Sequence, residues 1–299
     1  MHVVASVPRA GEKRRSLLAA VPLHWHLLSL DAPTVAVLWA WTLAREVGAS
    51  IAWSTLAVLG IGTWLIYVGD RLLDGLPGAP RIDLRERHRF HARHRRPLLA
   101  AAAVALVALL WLIARMPAAA RREDACVFAV AMVYAAAVHL PFLRIRFPRE
   151  VVVAVVFACA CAVPAWSLAG YAHPDLTVLA ALFAALCWLN CSAIHAWERA
   201  SDGRHLRPAP SRWPLVSLLA LAIAAASSFF LLLAWRNPGE LRLAAVLFAS
   251  AMLFFALDRD FRRSLKRRPP DAAPSALTMR VLADAILLTP ILLLIPWPK

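Results

Sequence analysis

Two stretches of the sequence end a long apolar run in the same pattern, which reads acid, arginine, two variable residues, aspartate, glycine. The first is WLIYVGDRLLDG at 64–75, and the second is SAIHAWERASDG at 192–203. The two acids of each pattern are four residues apart, so on a helix they lie on one face. The charged residues are Asp70, Arg71 and Asp74 in this first motif and Glu198, Arg199 and Asp202 in the second motif.

Carboxylates at this spacing favour a site for a hard cation. Four carboxylates that converge on one cavity would repel each other, and a divalent ion such as Mg²⁺ would relieve that repulsion. Mg²⁺ is commonly held by one or two carboxylates together with phosphate oxygens of a substrate. The neighbouring arginines suit a phosphate or diphosphate, which a guanidinium binds through two hydrogen bonds. The residues expected to hold Mg²⁺ and to be catalytic are Asp70, Asp74, Glu198 and Asp202.

Further polar residues precede the acids within the apolar runs. Tyr67 lies one turn before Asp70, His195 takes the same place before Glu198, and Asn190 lies two turns before Glu198. A charged residue near the bilayer core costs about 2.5–3.5 kcal/mol, so polar clusters of this kind usually face a bundle interior or a wet cavity. The alternative is that an acid and an arginine at the end of a span are interfacial anchors.

The elements that must position these residues are membrane helices. Of the 299 residues, 61% are hydrophobic and 17% are charged, whereas a soluble protein of this size keeps more polar residues on its surface. Apolar runs near the ~20 residues that cross a bilayer predict an all-α integral membrane bundle of about nine transmembrane helices. The spans are expected at 32–48, 51–69, 98–116, 124–143, 150–170, 175–197, 213–235, 241–257 and 280–297.

The distribution of charge predicts the orientation of this single transmembrane domain, 1–299. Of the 33 Lys and Arg, 26 fall in the N-terminal segment and in the loops after even-numbered spans, which places that side in the cytoplasm, as in a bacterial inner membrane. The net charge of +15 therefore fits an anionic lipid surface rather than nucleic acid. The main cytoplasmic segments are 1–31, 70–97, 198–212 and 258–279.

Both motifs then lie at the cytoplasmic ends of spans two and six. These spans run in the same direction and are four helices apart, which is the arrangement expected of two duplicated four-helix halves around a central cavity.

With these motifs in this topology, the chain resembles the UbiA superfamily of intramembrane prenyltransferases. Members have nine helices and two acidic motifs after helices two and six, typically Asn-Asp-x-x-Asp-x-x-x-Asp and Asp-x-x-x-Asp. The segment from Asp70 to Asp74 is similar to the latter part of the first, and Glu198-x-x-x-Asp202 matches the spacing of the second.

The opening of the first span adds to the resemblance. SLDAPTVAVLW carries Asp31 and Pro33 where members often have Asp-Lys-Pro. The chain departs from the family pattern at Ala32, which replaces that Lys, and at Ile66 and Tyr67, which replace Asn-Asp.

The resemblance implies a Mg²⁺-dependent enzyme that transfers an isoprenyl group from a polyprenyl diphosphate to an aromatic or other lipid-soluble acceptor. The alternatives are a non-catalytic multispan protein, a transporter that retains the fold, or an intramembrane terpene cyclase. The residues expected to bind substrate are Asp31, Tyr67, Arg71, Asn190, His195 and Arg199.

Two other features could contribute to the site. The basic stretch at 81–97 either forms a helix that caps the site, as the corresponding loop does in the resembled family, or serves as a topogenic, lipid-binding cluster. Asp284 lies in the last span, four residues after Arg280, and either lines the cavity or pairs with that arginine.

Overall fold

The computed structural model describes residues 21–74, 86–139, 149–170, 173–202, 213–233, 238–267 and 275–294. Within these ranges the chain is helical and contains no β-strand, which confirms the all-α prediction. The helices are α1 (Val21–Leu27), α2 (Asp31–Glu46), α3 (Trp53–Asp74), α4 (Glu86–Arg93), α5 (Arg95–Arg115), α6 (Ala118–His139), α7 (Arg149–Ala169), α8 (Pro174–Asp202), α9 (Trp213–Leu233), α10 (Pro238–Arg267) and α11 (Ala276–Ile286), followed by a 3-10 helix at Thr289–Leu294.

The number of apolar helices long enough to cross a bilayer differs from the expected nine. Seven such helices occur in the described residues, or eight if the bent pair α1 and α2 forms one span. Of the two expected spans that are not among the seven, one is α2, which is counted only together with α1. The other is α6, where four consecutive charged residues, Arg121 to Asp124, lie near the start of the helix. Long apolar helices of this number indicate an integral membrane protein.

The helix α2 lies at the centre of the bundle, where it packs against α3, α7, α10 and α11. Small side chains allow helices to approach closely without polar contacts. The buried face of α7 consists of such residues, which are Ala154, Ala158, Cys161, Ala162 and Ala165. Helix α7 packs on α2, which begins at Asp31, and on α8, which ends in the second motif.

Trp39 joins three helices at the core. Its ring stacks on Phe183 of α8 with 3.9 Å between ring centroids, and its indole N–H donates to the Leu287 carbonyl at the end of α11, 2.8 Å away. That carbonyl is one of the groups that a helix C-terminus leaves without a partner in the helix. The contact therefore fixes α11 against α2 and α8.

Two sharp turns enclose α2. At the end of α1, Leu30 N–H donates to the Trp25 carbonyl and Ser29 N–H to the His26 carbonyl, with φ of +60° at Ser29. This is a Schellman motif, which usually has glycine in the left-handed position. The same hydrogen bonds end α2, where Gly48 has φ of +73°. The first turn bends α1 from α2 by 93°.

A buried polar cluster ties α8, α9 and α10 together. Asp258 of α10 is 1% exposed and accepts hydrogen bonds from the Trp197 indole at 3.0 Å and the Ser217 hydroxyl at 2.7 Å. Arg262, one turn later, forms an ion pair with it at 2.5 Å. Each Asp258 oxygen thus has a partner, so this cluster stabilises the packing of the three helices.

Candidate functional site

The bend between α1 and α2 brings an imidazole onto a carboxylate. His26 Nδ1 lies 2.7 Å from Asp31 Oδ2, and the other oxygen of Asp31 accepts the backbone N–H of Ala32 at 3.0 Å. Both side chains are buried, with His26 2% and Asp31 8% exposed. Because Asp31 is the first residue of α2, its negative charge also lies at the positive end of the helix dipole.

A second carboxylate meets the same imidazole from the last helix. Asp284 Oδ2 of α11 lies 3.3 Å from His26 Nδ1. The other oxygen of Asp284 accepts a hydrogen bond from the Asn190 amide of α8 at 3.2 Å. The group formed by His26, Asp31, Asp284 and Asn190, called here the His26 cluster, therefore joins α1, α2, α8 and α11.

The first motif reaches this cluster through its arginine. Arg71 is only 4% exposed, and its Nη1 donates to the His26 carbonyl at 3.1 Å and to the Ser29 hydroxyl at 2.5 Å. Trp64, two turns earlier on α3, donates its indole N–H to the Leu28 carbonyl at 3.0 Å. The α1–α2 bend is thus held against α3 by side chains of the first stretch.

The basic stretch contributes a helix to the same place. Within it, α4 carries His91, which is fully buried and lies with Nε2 3.1 Å from the Ser29 hydroxyl. Since that hydroxyl also accepts from Arg71, Ser29 connects α3, α4 and the bend. Ser29 therefore has a role that glycine, the usual residue in this turn, cannot fill.

Two substitutions at Ser29 separate the energetic cost of its left-handed backbone from the contribution of its hydroxyl group. A left-handed conformation costs about 1–2 kcal/mol for a residue with a Cβ, and a hydrogen bond to a charged group contributes about 1.5–3 kcal/mol. We expect Ser29→Ala to lower the free energy of unfolding by about 2 kcal/mol and Ser29→Gly to be about 1 kcal/mol more stable than Ser29→Ala. Denaturant unfolding in detergent micelles measures both. A Ser29→Ala variant as stable as the wild type would show that the hydroxyl contributes nothing.

The first acid of the second motif also faces the interior of the bundle. Glu198 is 6% exposed, and its Oε1 accepts a hydrogen bond from Arg280 Nη2 of α11 at 2.6 Å. Arg280 and Asp284 of α11 thus both contact α8. Arg280 contacts Glu198 near the end of α8, and Asp284 contacts Asn190, two turns earlier. This pairing requires α8 and α11 to run antiparallel, as the charge distribution predicts.

The other predicted site residues occupy different environments. Asp70 and Arg199 are exposed at the ends of their helices, whereas His195 is half-buried. Tyr67 is half-buried. The remaining predicted acids, Asp74 and Asp202, are the last residues of α3 and α8, and their side chains lie outside the described part of the structure.

Two residues that form ion contacts in the site, His26 and Arg280, were not predicted in the roles they have. His26 was not among the predicted site residues, and Arg280 was considered only as one possible partner of Asp284, not as the partner of Glu198. The signal that could have identified His26 is its position five residues before Asp31, which places the two side chains together only if the helix breaks between them. Asp284 does face the interior, where it contacts His26 and Asn190 instead of Arg280.

Compared with known proteins, the chain matches no family model, no curated protein and no solved structure.

Proposed function

We propose that the chain is a Mg²⁺-dependent intramembrane prenyltransferase of the UbiA type, which transfers an isoprenyl group from a polyprenyl diphosphate to an aromatic or other lipid-soluble acceptor. In this reaction the bond between the allylic carbon and the diphosphate oxygen breaks, the acceptor forms a bond to that carbon, and the acceptor loses a proton. With α1 and α2 as one span and α6 as another, the chain has nine spans in two halves, and both motifs face the cytoplasm.

One observation carries this proposal: residues of the first motif and of the opening stretch belong to one connected polar network with Asn190, which lies on the helix that ends in the second motif. Arg71 of the first motif is bonded to the His26 carbonyl. The His26 side chain contacts Asp31, from the opening stretch, and Asp284. Asp284 is bonded to Asn190 of α8, the helix that ends in the second motif. Chain segments far apart in sequence thus supply polar groups to the same interior region.

The donor set of the two motifs suits Mg²⁺, a hard cation that prefers carboxylate and phosphate oxygens. Asp70, Asp74, Glu198 and Asp202 would hold the ion, which when bound neutralises charge on the departing diphosphate. In the structure Arg280 donates to Glu198 Oε1, so Glu198 would bind the ion through its other oxygen or after this ion pair opens. Arg280, Arg71 and Arg199 are then the guanidinium groups available near a diphosphate.

The test is release of diphosphate by the purified full chain in lipid nanodiscs, with a panel of isoprenyl diphosphates of increasing chain length. We expect release from at least one donor that requires Mg²⁺ and stops when the ion is removed with EDTA. Mass spectrometry of the lipid products then separates a prenylated acceptor from a cyclised donor, which would indicate a terpene cyclase. The proposal is wrong if no donor releases diphosphate and if Mg²⁺ with donor leaves the thermal stability unchanged.

The His26 cluster favours a second candidate, a proton- or ion-coupled transporter. Chains of buried Asp, Glu and His between membrane helices are typical of ion and proton pathways, and the cluster links two carboxylates through one imidazole. For this candidate we expect a pH gradient across liposomes to decay faster with the wild type than with Asp284→Asn. Proton flux without any diphosphate release would favour the transporter over the enzyme.

A further inference from the structure

The three ionisable side chains of the His26 cluster are arranged like the ligands of one ion. His26, Asp31 and Asp284 each offer one ligand atom, and these atoms all lie within 4.8 Å of one another. Donor atoms about 2.0–2.2 Å from one metal ion are separated by about 3.0 Å in octahedral and about 3.4 Å in tetrahedral geometry. The two separations from His26 Nδ1, 2.7 Å to Asp31 and 3.3 Å to Asp284, are close to these values.

A fourth group in the cluster has an oxygen without a partner. Asn190 is 8% exposed, so its side chain is buried, and its amide nitrogen is bonded to Asp284. Its Oδ1 has no hydrogen-bond partner among the described residues. A buried amide oxygen without a partner costs free energy, and this oxygen belongs to the amide group that is bonded to Asp284.

The ligands are also held in place by contacts outside the cluster. Asp31 Oδ1 accepts the Ala32 N–H, and the His26 carbonyl accepts from Arg71, so the backbone at both ligands is fixed. Such supporting hydrogen bonds are common around metal ligands, where they set the orientation of the ligating group. Two carboxylates and a divalent ion are together neutral, which suits a site in which His26 and Asp31 are buried.

From these observations we infer that His26, Asp31 and Asp284, with the Asn190 amide oxygen, form a binding site for one divalent transition-metal ion. An imidazole with carboxylate and amide oxygens is a donor set for Mn²⁺, Fe²⁺, Co²⁺ or Zn²⁺ rather than for Mg²⁺ or Ca²⁺, which bind oxygen alone. The site uses none of the motif carboxylates. It lies where α1, α2, α8 and α11 meet and shares Asp31 and Asn190 with the residues expected to bind substrate, but binding of its ion does not require prenyl transfer.

The experiment titrates the full chain in nanodiscs, after EDTA treatment and dialysis, with Co²⁺ followed by visible absorption and with Mn²⁺ followed by pulsed electron paramagnetic resonance. The wild type is expected to bind one Co²⁺ per chain, and the Mn²⁺ form is expected to show coupling to an imidazole nitrogen. This second readout needs no variant. Asn190→Ala should weaken Co²⁺ binding by about 10- to 100-fold, and His26→Gln and Asp284→Asn should weaken it further.

Two matched controls locate the ion. Asp258→Asn makes the same change at a buried acid of the separate α8–α10 cluster, and Asp70→Asn makes it at the first motif. Both variants are expected to keep Co²⁺ binding. The inference is overturned if the wild type shows no saturable Co²⁺ binding, if the bound Mn²⁺ shows no nitrogen coupling, or if Co²⁺ binding is lost in Asp70→Asn and retained in Asp284→Asn.

Discussion

Replacing Arg280 by methionine should lower the free energy of unfolding by about 3 kcal/mol, because it removes the guanidinium from a buried carboxylate. The side chains of Arg280 and Glu198 are only 14% and 7% exposed, and they are 2.6 Å apart. A carboxylate in such a place cannot recover in solvent what it loses in the ion pair. Unfolding of the detergent-solubilised protein by increasing SDS measures the change.

A double variant provides the control for this prediction. Glu198→Gln with Arg280→Met removes both charges, and neutral replacement of a buried ion pair is often close to neutral in stability. The double variant should therefore be clearly more stable than Arg280→Met alone. If the single variant matches the wild type, or if the double variant is less stable than the single one, the pair does not stabilise the contact between α8 and α11.

The largest effect on activity is expected at the first acid of each motif. Asp70→Asn and Glu198→Gln keep the size of the side chains and remove the charge that would hold Mg²⁺, so each should reduce the rate of diphosphate release by about 100-fold or more. The rate is measured with saturating donor and a titration of Mg²⁺. Both variants should still insert into the membrane, because neither substitution adds a charge to a span.

Asp260→Asn is the matched control for Asp70→Asn, because both aspartates are exposed in the C-terminal part of their helices. This variant should release diphosphate at the wild-type rate. If Asp260→Asn and Asp70→Asn reduced the rate of diphosphate release equally, the cause would be a general effect of surface charge. Wild-type rates in both Asp70→Asn and Glu198→Gln would remove the motif carboxylates from the reaction.

The helices could be predicted from the sequence because lipid leaves the backbone few alternatives. A segment that crosses the bilayer must satisfy its own N–H and C=O groups, so an apolar run of sufficient length becomes a helix. Apolar length therefore located α5, α7 and α9 within three residues, whereas α3 and α8 end five residues and α10 ends ten residues beyond the predicted ends at 69, 197 and 257. The number of spans was harder to predict, since α6 combines a charged start with an apolar remainder.

The His26 cluster could not be predicted in the same way, because it depends on a backbone conformation that serine seldom adopts. Only the left-handed turn at Ser29 folds α1 back so that His26 meets Asp31. Without that turn, a continuous helix would place residues five apart on different faces. The contact of Asp284 with His26 also depends on the rotation of α11, which packing with Trp39 fixes.

The two motifs show what a repeated sequence pattern predicts and what it does not. The pattern indicated that both segments end helices, and both do. It did not indicate that equivalent positions would differ in environment: Asp70 is exposed whereas Glu198 is buried, and Arg71 is buried whereas Arg199 is exposed. The neighbouring helices cause this difference, since α3 meets the α1–α2 bend and α8 meets α11.

The most direct test of one shared site is photo-crosslinking with an isoprenyl diphosphate analogue that carries a photoreactive group next to the diphosphate. After illumination in nanodiscs with and without Mg²⁺, mass spectrometry identifies the labelled peptides. We predict Mg²⁺-dependent labels on both the α3 peptide that ends at Asp74 and the α8 peptide that ends at Asp202, displaced by unlabelled donor. Labels confined to one of the two helices, or labels that do not depend on Mg²⁺, would contradict a diphosphate site built from both motifs.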